Sequence, residues 1–121
     1  MNEKIILIAE DEEFNYLLLK YILEKDGFGT MRALNGVEAL EIFNSGTKID
    51  LIVMDVKMPV MSGLEATIEI RKKDKTIPII ALTAYALPGD REMCINSGCT
   101  DYIPKPIDKG DFLKRVRNLT A

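Results

Sequence analysis

Short apolar runs alternate with longer amphipathic stretches along this chain. Residues 5–9, 51–54 and 77–82 carry apolar side chains at successive positions, many of them β-branched. Such runs fit strands buried on both faces, as in a parallel sheet. Residues 28–33 and 101–103 are weaker strand candidates. Between them, helical spacing predicts helices over roughly 13–25, 36–44, 62–73, 88–97 and 108–119. Gly27, Gly46 and Gly98 fall just past helix ends, and Asn35, Ser62 and Asp108 stand as N-caps. Strand and helix alternate five times. Right-handed crossovers then predict an α/β fold, an open parallel sheet with helices on both faces.

The first helix has more apolar surface than one sheet can cover. Leu18, Leu19, Ile22 and Leu23 form one stripe, and Phe14, Leu17 and Tyr21 form a second. A single helix cannot turn both toward the same sheet. The surplus stripe is either extra packing surface or a docking face.

Composition narrows the function. The 121 residues amount to one domain with one core. A net charge of −3 leaves no basic footprint for nucleic acid. No apolar run approaches the roughly 20 residues that cross a bilayer, and no signal-peptide pattern opens the chain. Cys94 and Cys99 are too few and too close for a disulfide framework, so reduced cytosolic thiols packed around the fourth helix are the default. There is no histidine. That excludes His-ligated metals, a Ser-His-Asp triad and a phosphohistidine carried by this chain.

In an open α/β sheet, ligands bind beyond the carboxyl ends of the strands. Glu10 and Asp11 follow the first strand, Asp55 ends the third, Thr83 closes the fourth and Lys105 follows the fifth. Singly, each has an ordinary explanation: an acid pair at a helix N-terminus, a strand-end turn, a solvated lysine. Jointly they put three carboxylates, a hydroxyl and an ammonium on one edge. Clustered carboxylates repel unless a cation or protons intervene, and oxygen ligands without His or Cys suit a hard ion such as Mg²⁺. An Asp can accept a phosphoryl group, and a metal with a lysine supplies the charge neutralisation such a transfer needs. No Gly-rich nucleotide cradle is present, so the donor comes from another molecule.

Four stretches carry a family likeness: ILIAEDEEFN, LIVMDVKMPVMSG, PIIALTAYAL and DYIPKPI. In them the chain resembles, over residues 1–121, the receiver domain of two-component response regulators, closest in style to receivers of hybrid sensor histidine kinases. The resemblance implies a flavodoxin-like (βα)5 doubly wound sheet of order 2-1-3-4-5. It implies phosphorylation of Asp55 by a histidine kinase or a histidine phosphotransfer protein. Asp11, Asp55 and the backbone carbonyl of Lys57 would bind Mg²⁺, which Mn²⁺ can replace, with Glu10 acting partly through water. Lys105 would hold the phosphoryl group and Thr83 would move toward it. Tyr102 matches the aromatic that turns with Thr83, making the fourth helix, fifth strand and fifth helix the effector face. The Lys105–Pro106 peptide would be cis. Phe14, Asn15 and Leu17 would dock the histidine-bearing partner. A cytoplasmic monomer or phosphorylation-dependent dimer is implied, including as the cytoplasmic part of a membrane-bound hybrid kinase; no output domain is seen, so the chain is a stand-alone regulator or an excised piece.

Some positions depart from the family pattern. Glu10 stands where Asp is commoner, and Ser62 stands where Asp often precedes the glycine. Lys57 and Tyr85 occupy places that tune hydrolysis of the acyl phosphate. Three rival readings compete. A Mg²⁺-dependent phosphatase would want an acid where Lys57 stands. A binding module that is never phosphorylated would need none of Asp11, Asp55, Thr83 and Lys105. A flavin protein would need a phosphate cradle where Glu10 to Glu13 would repel phosphate.

Overall fold

A computed structural model describes residues 3–84 and 87–121. Its elements run β1 (Ile5–Ala9), α1 (Glu13–Lys25), β2 (Gly29–Ala33), α2 (Gly36–Asn44), β3 (Leu51–Asp55), α3 (Gly63–Arg71), β4 (Ile79–Thr83), α4 (Asp90–Ser97), β5 (Asp101–Pro104) and α5 (Lys109–Thr120). All strand pairs are parallel, and the sheet order is β2-β1-β3-β4-β5, as expected. The order reverses between β1 and β3, so their carboxyl ends open side by side.

The successive apolar positions have a simple cause. Ile6, Ile8, Leu51, Val53, Ile80 and Leu82 point to one face, where α1 and α5 cover them with Leu19, Ile22, Leu23, Phe112 and Val116. Leu7, Ala9, Ile52, Met54, Ile79 and Ala81 point to the other, against Ala39, Ala66, Ile70 and Cys94 of α2, α3 and α4. Burying each large aliphatic side chain contributes about 1.5–3 kcal/mol, so the three central strands anchor both layers.

Several boundaries differ from the sequence expectation. β4 begins at Ile79 rather than at residue 77, because Pro78 has no N–H to give to a ladder. Its carbonyl still accepts from the Ile52 N–H. α3 stops at Arg71, where the chain turns and Asp74 caps the following loop by accepting from the Thr76 and Ile77 N–H groups. α4 starts at Asp90 rather than at residue 88, since Gly89 takes a left-handed conformation (φ 89°) and blocks an earlier start. The N-caps Asn35, Ser62 and Asp108 are all formed, with a reciprocal capping box between Ser62 and Glu65.

On α1 the buried face is Leu19, Ile22 and Leu23. Leu18, expected in that stripe, is instead 41% exposed and joins Phe14, Leu17 and Tyr21 on the outer side. Both cysteines are buried and unpaired. The Lys105–Pro106 peptide is cis. Among the described residues, no helix is long and apolar enough to cross a membrane.

Candidate functional site

Four of the five strand ends deliver the site's polar groups, and β1 supplies two of them. Glu10 follows Ala9, and its N–H donates to the Ala33 carbonyl of the neighbouring strand (3.1 Å). Its side chain is only 1% exposed, beneath the exposed Asp11. Asp55 ends β3 with its residue 6% exposed. Thr83 ends β4 and is buried, and its carbonyl accepts from the Lys105 N–H (2.7 Å), which fixes where the lysine leaves β5.

Ligand-capable oxygens of Glu10, Asp11 and Asp55 all lie within 4.8 Å of one another. Lys105 Nζ stands 2.9 Å from Glu10 Oε1 and 3.5 Å from Asp55 Oδ2. Asp11, Asn15, Asp55, Lys57, Thr83 and Lys105 line one cleft of about 270 Å³. Five expected site residues therefore meet: Glu10, Asp11, Asp55, Thr83 and Lys105. Lys57 borders the same cleft, and its N–H donates to the Asp55 carboxyl. Tyr102 lies away from that cleft, partly buried against the second core layer. Tyr85 falls outside the described residues.

Burial, then the neighbouring Glu10, pushes the Asp55 carboxyl up to about 8, only partly opposed by the charge of Lys105. Burial also works against ionised Glu10, but its hydrogen bonds with Asp55 and Lys105 and the lysine's charge hold it below the usual carboxylate range. Lys105 is raised: burial disfavours its charge, and Glu10 and Asp55 more than restore it. One cation thus serves two buried acids. Glu10 Oε2 is buried and meets no donor among the described residues. A proton on Asp55 or a cation would satisfy it. Three convergent carboxylates and an orphaned buried oxygen are the donor set a hard divalent ion takes.

The expected docking residues sit beside this cleft. Phe14 is 72% exposed, and Leu17 is exposed one turn along. Phe14, Asn15 and Leu18 with Pro106 and Ile107 form an apolar groove of about 180 Å³ that reaches Glu10 and Lys105. Asn15 belongs to both groove and cleft and helps keep Glu10 charged, a site role not read from the sequence. Arg32, also unremarked there, bonds the backbone of the loop carrying Glu10 and Asp11.

The profile of the response regulator receiver domain matches residues 6–117. The chain belongs to the response regulator receiver family. It is 39% identical to the polar-differentiation response regulator DivK of Brucella anthropi, over 95% of this chain and 94% of that one. The receiver domain of sensor histidine kinase PA1611 from Pseudomonas aeruginosa PAO1, solved with a magnesium ion coordinated in its active-site cleft, superposes with a TM-score of 0.90 at 33% identity, covering 98% of each chain. The receiver domain of Ssk1 from Saccharomyces cerevisiae, solved with the histidine phosphotransfer protein Ypd1, gives 0.90 at 32% identity, covering 98% of this chain and 89% of that one. As a receiver domain the chain is a phosphoacceptor in two-component signalling, and receivers bind Mg²⁺ at an acidic pocket.

Proposed function

We propose that residues 1–121 form one receiver domain whose phosphorylated residue is Asp55. The observation that carries this is the buried Asp55 carboxyl at the end of β3, in ion-pair reach of Lys105 and within 4.8 Å of two further acids. A carboxylate oxygen of Asp55 bonds to phosphorus while the bond from phosphorus to the donor's imidazole nitrogen breaks, the imidazole keeping that electron pair. Asp11, Asp55 and the Lys57 carbonyl would hold Mg²⁺ or, in its place, Mn²⁺, with Glu10 acting partly through water. When bound, the ion offsets the charge of these acids and of the phosphoryl oxygens.

The chain's own groups do the rest. Lys105 turns its ammonium from the acid pair toward the incoming phosphoryl oxygens, and the Thr83 hydroxyl donates to one of them. A phosphoryl group adds roughly −1.5 to −2 charge and strong acceptors, enough to draw these two loops inward. Tyr102 follows, and α4, β5 and α5 present the altered face to an effector. Phe14, Asn15 and Leu17 receive a histidine kinase or histidine phosphotransfer protein, whose histidine is thereby set over Asp55. The domain assists its own phosphorylation and dephosphorylation and turns over no free substrate. It works in the cytoplasm, as a monomer or as a dimer formed on phosphorylation, without binding nucleic acid or membrane.

Intact-protein mass after mixing with acetyl phosphate tests this, with and without Mg²⁺ and beside Asp55→Asn. Gain of one phosphoryl group that needs both Mg²⁺ and Asp55 is expected. No gain, even from a phosphorylated histidine donor, would overturn the assignment.

A further inference from the structure

The loop between β1 and α1 carries two of the three clustered acids, and little holds it. α1 starts at Glu13 without a side-chain cap, since Glu12 makes no capping bond. Asp11 is exposed. Glu10 and Asp11 are adjacent acids brought up beside Asp55, and like charges drawn together repel, so the loop is under electrostatic pressure to open.

One side chain from β2 opposes this. Arg32 Nε donates to the Glu10 carbonyl (3.2 Å) and Nη2 lies 3.4 Å from the Asp11 carbonyl. Nη1 pairs with Glu13 Oε1 at 2.6 Å, and the guanidinium lies 4.3 Å from the centre of the Tyr16 ring. A planar guanidinium with donors fixed in a fork suits such a set of acceptors, whereas an ammonium can hold only part of it. Ala33, the next residue, accepts the Glu10 N–H. Two successive residues at the end of β2 therefore grip the loop, one through backbone and one through a side chain.

We infer that Arg32 is a positioning residue for divalent-cation binding: it fixes the backbone carbonyls of Glu10 and Asp11 and so aims both carboxylates into the cleft. The inference rests on the reading of that cleft as a metal site. Arg32 touches neither the ion nor the phosphoryl group. Its charge acts in the opposite sense, because a cation near the acids weakens the pull on Mg²⁺, and part of it is already neutralised by Glu13. Positioning and charge thus predict changes of opposite sign.

Mg²⁺ binding measured by calorimetry on the unsubstituted protein, Arg32→Lys and Arg32→Met separates them. Circular dichroism melts in EDTA report the metal-free fold alongside. Both variants are expected to bind Mg²⁺ about tenfold more weakly, the low end of losses seen for groups that orient metal ligands. Saturating Mg²⁺ should return the rate of phosphorylation by acetyl phosphate to that of the unsubstituted protein. Unchanged affinity in Arg32→Lys, or tighter binding in Arg32→Met, would overturn the inference. So would loss of cooperative melting in Arg32→Lys, which would assign the residue to the fold alone. Failure of the unsubstituted protein to bind Mg²⁺ would be a different result, removing the metal site itself.

Discussion

Gly63 packs against the backbone of Asp55 so closely that a Cβ added there would collide with the Asp55 carbonyl oxygen and press on Met54. The Gly63 N–H also donates to the Val56 carbonyl (3.0 Å), which locks the start of α3 onto the end of β3. Gly63→Ala is therefore expected to lose about 1–3 kcal/mol, the usual cost of overpacking. Because the displaced backbone is that of Asp55, the proposed phosphoacceptor, phosphorylation by acetyl phosphate should slow as well. Urea unfolding and intact-mass kinetics read the two effects. A variant as stable and as fast as the parent would show that α3 has room to retreat.

How much of this was readable beforehand varied with the physics of each element. β1, β3 and β4 announce themselves because both faces are covered, which forces apolar residues at successive positions. β2 lies at an edge with only Ala33 fully buried, so Gly29 to Arg32 carry little signal. Leu18 has the spacing of the inner stripe, yet the buried face of α1 is Leu19, Ile22 and Leu23 and leaves it outside. The acids, the threonine and the lysine were legible because each breaks an apolar run where a strand must end. Arg32 was not: in a sequence it is a charged residue of an edge strand, and its bonds to Glu10 and Asp11 go to backbone carbonyls that no side-chain pattern reveals.

Asp55 makes the metal-free protein sensitive to pH. Its carboxyl lies at about 8 in the fold against an ordinary 3.8, so between those values the native state binds more protons than the unfolded chain. Its contribution to stability is whole below about pH 4 and is lost as pH rises toward 8. The limiting slope is about 1.4 kcal/mol per pH unit. Glu10, held low, acts in the opposite direction and only at acid pH. Denaturation in EDTA should thus show stability falling from about pH 5 to pH 8, and Asp55→Asn should flatten the curve. Mg²⁺ should restore stability most at the alkaline end, since it binds the ionised acid. A flat curve in EDTA for the parent protein would mean that Asp55 is ionised throughout.

Val60 is the only described non-glycine residue with positive φ (71°), and its side chain is 83% exposed. A β-branched residue in that conformation is strained, by about 1–3 kcal/mol. The turn lets the Met61 carbonyl accept from the Gly36 N–H (3.0 Å), joining the loop after β3 to α2. Glycine keeps that turn without the clash, although it has more freedom to lose on folding. Val60→Gly should gain about 1 kcal/mol net in urea unfolding. A loss of stability would show that the exposed valine makes contacts worth more than its strain.

Thr83 offers the sharpest separation between chemistry and response. Its hydroxyl sits on the last residue of β4, its carbonyl takes the Lys105 N–H, and it borders the cleft from the side of α4. It gives Asp55 no charge, so Thr83→Ala should still take up one phosphoryl group at close to the parental rate. What should weaken is the coupling, because no hydroxyl remains to follow the phosphoryl oxygen and draw the loop inward. Both states of such a switch lie within a few kcal/mol, and loss of one hydrogen bond to a charged group, about 1.5–3 kcal/mol, suffices to leave it largely off. Amide hydrogen exchange over α4 and β5, compared before and after phosphorylation, measures this directly. The parent should change protection there and Thr83→Ala should not. An equal change in both proteins would remove Thr83 from the switch.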